Sequence, residues 1–119
     1  MLFGLIIVVI TMSPTSTAEI AADFPKELQG SWTDDISVCG KEDTGGMLIT
    51  SHSVEFYEAV GVPTAIDQAT DRSLTARLKF KGEGKTWVET DRFVLAEDNQ
   101  SVRVSALGRT FTLKRCGPA

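Results

Sequence analysis

From Ser73 to Lys81 the chain alternates without interruption. Leu74, Ala76, Leu78 and Phe80 fall on one side, and Thr75, Arg77, Lys79 and Lys81 on the other. Successive side chains of a strand point to opposite faces, so this period of two describes a β-strand with one buried and one wet face. The pattern recurs downstream. Val102, Val104 and Ala106 oppose Ser101, Arg103 and Ser105, and Phe111, Leu113 and Arg115 alternate with Thr110, Thr112 and Lys114. Turn chemistry separates the runs at Gly82-Glu83-Gly84, at Glu97-Asp98-Asn99-Gln100 and at Gly108. Thr86–Leu95 reads as a further strand, and Gly46–Thr50 and Val54–Tyr57 bracket Ser51-His52-Ser53 as a hairpin. Gly61-Val62-Pro63 is expected to interrupt, leaving Thr64–Ile66 as a short strand. The seven or eight short strands, joined by hairpin-length turns, predict an all-β fold. A small up-and-down antiparallel β-barrel is the expected form, with a sandwich as the alternative. Glu19–Leu28, with Pro25 near a helix start and Phe24 before it, is expected to make a short N-terminal helical turn that packs as a lid or hangs as a tail.

With 119 residues, 42% of them hydrophobic and 24% charged, the composition is that of one globular domain. The apolar residues are unevenly placed, however. Met1–Met12 (MLFGLIIVVITM) carries no charged side chain, and Ser13–Ala18 then turns polar and small around Pro14. That is the anatomy of a secretory signal peptide, with Ser16 and Ala18 at the small-residue positions before the cut. Cleavage is expected before Glu19, or else after Ala21 or Ala22. Crossing a bilayer takes about 20 apolar residues, roughly twice the run present, so no membrane span is expected after cleavage. Residues 1–18 are therefore read as signal peptide and residues 19–119 as a single domain, periplasmic or secreted. In that compartment the chain's two cysteines, Cys39 and Cys116, are expected to form one disulfide, with free or intermolecular thiols as the alternative. Closing so long a loop constrains the unfolded chain by about 4–5 kcal/mol in the entropy treatment.

Leu28-Gln29-Gly30-Ser31-Trp32 sets a Gly-x-Trp at the entry to the first strand. This resembles the signature of the calycin superfamily, which includes the lipocalins. The resemblance implies that Trp32 plugs the barrel floor and that a basic residue of the last strand, Arg115 by position, packs across its face. A guanidinium over an indole contributes roughly 0.5–2 kcal/mol. The chain is also similar to compact exported bacterial members such as metalloprotease inhibitors, whose N-terminal tail enters a protease cleft. By that likeness the segment holding Phe24 and Pro25 would meet the partner. The disulfide of those inhibitors closes a short loop, whereas Cys39–Cys116 would span nearly the whole barrel.

Chemistry-bearing patterns are sparse. The net charge of −4 argues against a nucleic-acid partner. His52 is the only histidine; its neighbours Ser51 and Ser53 cannot form a triad with it, because adjacent strand residues point apart. The pairs Asp34-Asp35, Glu42-Asp43 and Glu97-Asp98 lack calcium-loop spacing and read as solvated loop charges. No catalytic residue, metal or cofactor is expected. Arg77, Lys79 and Lys81 read as the polar outer face of an exposed strand. If Phe56 points into the barrel, so does Glu58, which makes it a candidate ligand contact at the mouth. Leu74, Leu78, Phe80, Phe93, Leu95, Phe111 and Leu113 are expected to fill the interior. Function would then lie on loops and surface. The sequence thus predicts a monomeric, non-enzymatic binding protein with a protein partner in the envelope or outside the cell, an inhibitor of an exported hydrolase being one form. The alternative is a carrier of a small hydrophobic ligand.

Overall fold

A computed structural model describes Gly4, residues 23–41 and residues 45–116. The signal-peptide segment and its cleavage sites, together with Glu42 and Asp43, lie outside the described residues apart from Gly4. Eight strands run β1 (Gly30–Thr33), β2 (Met47–Ile49), β3 (Val54–Phe56), β4 (Ala59–Ala69), β5 (Ser73–Gly82), β6 (Lys85–Leu95), β7 (Ser101–Ala106) and β8 (Arg109–Arg115). Each pairs antiparallel with the next, and β8 returns to β1 through Trp32 opposite Arg115 and Thr33 opposite Lys114. The result is a closed up-and-down barrel. Two 3-10 turns, Lys26–Leu28 and Ile36–Val38, are the helical elements among the described residues. No helix among those residues is long and apolar enough to cross a membrane.

The alternation read from the sequence sets which side chains enter the barrel. Leu74, Ala76, Leu78 and Phe80 of β5, Phe93 and Leu95 of β6, Val102 and Val104 of β7 and Leu113 of β8 are all buried, while Arg77, Lys79 and Lys81 face solvent. Two-residue loops join the longer strands. Glu83-Gly84 and Leu107-Gly108 both take positive φ at each residue, the backbone that matches the twist of a tight hairpin.

One expectation fails. Gly61-Val62-Pro63 does not interrupt the chain; β4 runs through it from Ala59 to Ala69. Pairing with β3 ends at Gly61 opposite Val54, so beyond that point β4 has a ladder on the β5 side alone. A proline is tolerated in such a half-free strand, and the register to β5 shifts between Pro63 and Ala65 to accommodate it.

The barrel has a closed end and an open end. At the closed end the segment from Phe24 to Leu28 packs as a lid. Phe24 is 2% exposed, meets Phe93 edge-to-face at 5.7 Å and donates its N–H to the Ser51 carbonyl at 2.9 Å. The Trp32 indole N–H donates to the Leu28 carbonyl at 2.9 Å. Cys39 and Cys116 are joined across 77 residues, tying the long β1–β2 loop to the end of β8.

Candidate functional site

At the floor, the structure brings together the three residues singled out there. The Arg115 guanidinium lies 4.1 Å from the centre of the Trp32 ring, with Gly30 beside it. Its Nε donates to the Asn99 carbonyl at 2.8 Å, Nη1 to Gln29 at 3.1 Å and Nη2 to Glu27 at 2.7 Å. The cation thus knits the N-terminal lid to the β6–β7 turn, and burial pulls its pKa below the ordinary arginine value. Pro25, half-buried, precedes the first 3-10 turn and accepts the Leu28 N–H at 2.9 Å. His52 sits exposed in its turn, 3.0 Å from Asp23.

The open end differs from the filled interior the sequence suggests. A cavity of about 550 Å³ lies between the β3–β4, β5–β6 and β7–β8 turns and the loop after β1. Phe56, Trp87, Leu107, Phe111 and Leu113 form its walls. Beneath them the aromatic rings interlock. Phe80 stacks on Trp87 at 5.4 Å and 11° and meets Phe56 at 6.1 Å, while Phe56 and Phe111 are edge-to-face at 6.3 Å. Phe80 lies over Gly61, where an added Cβ would come within 2.7 Å of the ring.

Glu58 lines this cavity, where the sequence set it. The carbonyl of Glu58 rests directly on Gly82, leaving no room for a side chain there, so the β3–β4 turn is pressed against the β5–β6 turn. Glu58 and Glu83 are thereby neighbours. Hydrogen bonding with the Glu83 carboxyl, reinforced by repulsion between the two charges, holds Glu58 above the usual carboxylate value. Lys85 and Arg109 stand at the same rim, Arg109 with its guanidinium 5.3 Å from the Phe111 ring centre.

Deeper along β6 lies a pair that sequence reasoning missed. Glu89 accepts the Trp87 indole N–H at 2.7 Å on one oxygen and the Leu107 backbone N–H at 2.8 Å on the other. Asp91, two residues on along the same inward face, is 0% exposed, and no N–H or hydroxyl donor reaches either of its oxygens among the described residues. Burial, followed by hydrogen bonding and repulsion from Glu89, pushes Asp91 up to about 9. Burial also opposes ionisation of Glu89, but hydrogen bonds from Asp91, the Leu107 N–H and Trp87 outweigh it and hold Glu89 below the ordinary value. At neutral pH the pair therefore shares one proton: Asp91 is the acid and donates, and Glu89 is the carboxylate. The signal was in the alternation, since Trp87, Glu89, Asp91, Phe93 and Leu95 fall on one side of β6. The edge of β6 is open here, because pairing with β7 begins only at Arg92 opposite Ser105. A cleft of about 320 Å³ between this stretch and the β7–β8 hairpin reaches Glu89 from outside.

Among the described residues, no group of three or more His, Cys, Asp or Glu is placed to hold a metal ion. Compared with known proteins, the chain matches no family model, no curated protein and no solved structure.

Proposed function

We propose that this is an exported binding protein of calycin-like architecture that carries a small, largely apolar ligand in the open mouth of its barrel. The cavity carries the reading. Its volume of about 550 Å³ falls within the roughly 300–1,000 Å³ typical of small-molecule sites, and aromatic walls with a few polar groups at the rim are the usual lining. The lid at the other end favours the same conclusion. Phe24 and Leu28 are buried beneath the barrel, so from Phe24 onward the N-terminal segment supports the fold and is not a free arm. Export accords with the disulfide and with the short apolar block that opens the chain.

A neutral aromatic dye such as N-phenyl-1-naphthylamine tests the reading. Its fluorescence should rise saturably with one site per chain, and Ala59→Trp, which fills the mouth, should remove the site. No saturable signal from the wild-type protein would sink the carrier reading. A protein partner is the second reading, favoured by the outer face of β4–β6. There Val60, Val62 and Val88 stay exposed beside Arg77, Lys79 and Lys81.

A further inference from the structure

Beside the mouth of the barrel, Glu89 is a carboxylate with no ion pair among the described residues. Among the described residues, the ionisable side chains at inward positions of the strands are Lys85, Glu89 and Asp91 of β6 and Arg109 and Arg115 of β8. Arg115 is committed at the floor, over Trp32 and bonded to three backbone carbonyls. The sole ion pair among the described residues is His52–Asp23, at the closed end of the barrel. The carboxylate of Glu89 is therefore steadied by two N–H groups and the Asp91 carboxyl, and Asp91, fully buried and reached by no N–H or hydroxyl donor, stands behind it. The neighbours of Asp91 are uncharged apart from Glu89: Ala76 faces it from β5 and Phe93 follows it on β6. Lys85 and Arg109 stand at the rim, Arg109 also lining the cleft beside Glu89, and neither forms an ion pair with it.

An uncompensated carboxylate inside a protein is costly, and a cation brought beside it recovers much of that cost. Glu89 adjoins the mouth cavity without itself lining it. It is hydrogen-bonded to Trp87 and Leu107, which line the mouth cavity, and it also borders the cleft beside the β7–β8 hairpin. A carboxylate has about four acceptor positions, of which the two N–H donors and the Asp91 carboxyl take three, leaving one for a ligand. The faces of Phe56, Trp87 and Phe111 are themselves attractive to an ammonium group. Arg109, lying over Phe111, already illustrates that attraction at the rim.

Resting on the carrier reading, we propose that the ligand is a cationic amine with an apolar or aromatic body, its ammonium group bound by Glu89 with Asp91 behind it and its body held between Phe56, Trp87 and Phe111. Neutral and anionic analogues of the same shape are discriminated against by that half-buried carboxylate.

Three probes of one shape test this: tryptamine, indole and indole-3-acetate, titrated calorimetrically into the intact disulfide-bonded protein at neutral pH. Tryptamine should bind at least about tenfold more tightly than indole, with indole-3-acetate weakest. Glu89→Gln should bring tryptamine to within about twofold of indole, while Asp91→Asn, which leaves the Glu89 charge in place, should keep the preference. Equal binding of all three probes, or a preference for the anion, overturns the proposal and leaves the carrier reading standing. A tryptamine preference that survives in folded Glu89→Gln overturns the assignment to Glu89. Should that variant fail to fold, the ranking of the three probes on the wild type decides alone. Binding of none of the three overturns the carrier reading and this proposal together.

Discussion

Replacing Asp91 by Asn should stabilise the protein, and by an amount that grows with pH. In the folded state this carboxyl keeps its proton up to about pH 9, against an ordinary value of 3.8. The unfolded chain releases that proton near the ordinary value. Between the two, the unfolded state binds one proton fewer than the native state, so stability falls by about 1.4 kcal/mol for each pH unit. The contribution is complete below about pH 4, is lost as pH rises, and levels off above about pH 9. At pH 7 the solution lies roughly three units above the ordinary value, which sets an upper bound of roughly 4 kcal/mol on the loss. Asn has the shape of the protonated acid and can still donate to Glu89, yet it does not titrate. Urea unfolding with the disulfide intact, at pH 5, 7 and 8.5, reads the effect. The wild-type midpoint should fall steadily across that range, and the Asp91→Asn midpoint should lie higher and change far less. Glu89, whose value is lowered, titrates below this window and does not confuse it. A variant less stable than wild type at pH 8.5, or a wild-type midpoint that does not fall, would refute the reasoning.

Other perturbations test the floor, the bridge and the aromatic layer. Arg115→Gln removes the contact with Trp32 and three hydrogen bonds to the lid and the β6–β7 turn; it should cost about 2–4 kcal/mol in denaturant unfolding. The double change Cys39→Ala with Cys116→Ala should cost about 2–5 kcal/mol, and the wild-type protein should show no titratable thiol without reductant. Gly61→Ala drives a methyl group into the Phe80 ring and should cost about 1–3 kcal/mol in thermal unfolding while weakening dye binding at the mouth.

The barrel was largely readable from the chain because its long strands obey a strict period of two. Leu74, Ala76, Leu78 and Phe80 are buried where alternation puts them, and the hairpins fall at Glu83-Gly84 and Leu107-Gly108 where the pattern breaks. Glu58 borders the mouth from the exposed β3–β4 turn, beyond the end of β3, so the hairpin and not strand alternation sets its place. Pro63 misled because tolerance of a proline depends on whether the strand has a neighbour on both sides, and β3 is too short to be that neighbour. The open mouth was hidden for a related reason. Inward residues were identifiable, but whether they close a layer depends on how the turns and the loop after β1 sit over it, which alternation does not specify. Glu89 and Asp91 follow the alternation of β6 as strictly as Trp87 and Phe93. Their sharing of a proton depends further on register, which sets Ala76 of β5 opposite Asp91 and brings the Leu107 N–H of the β7–β8 hairpin to Glu89, while Arg109 of that hairpin forms no ion pair with either.

The two indole N–H groups give the most direct test of a ligand site in the mouth. Trp87 donates to Glu89 at the cavity wall, and Trp32 donates to the Leu28 carbonyl at the floor, so their nitrogen–proton resonances report on opposite ends of the barrel. In a titration of 15N-labelled protein with tryptamine, the Trp87 signal should move saturably while the Trp32 signal stays in place. Movement of Trp32 alone, or of neither signal, would contradict binding in the mouth.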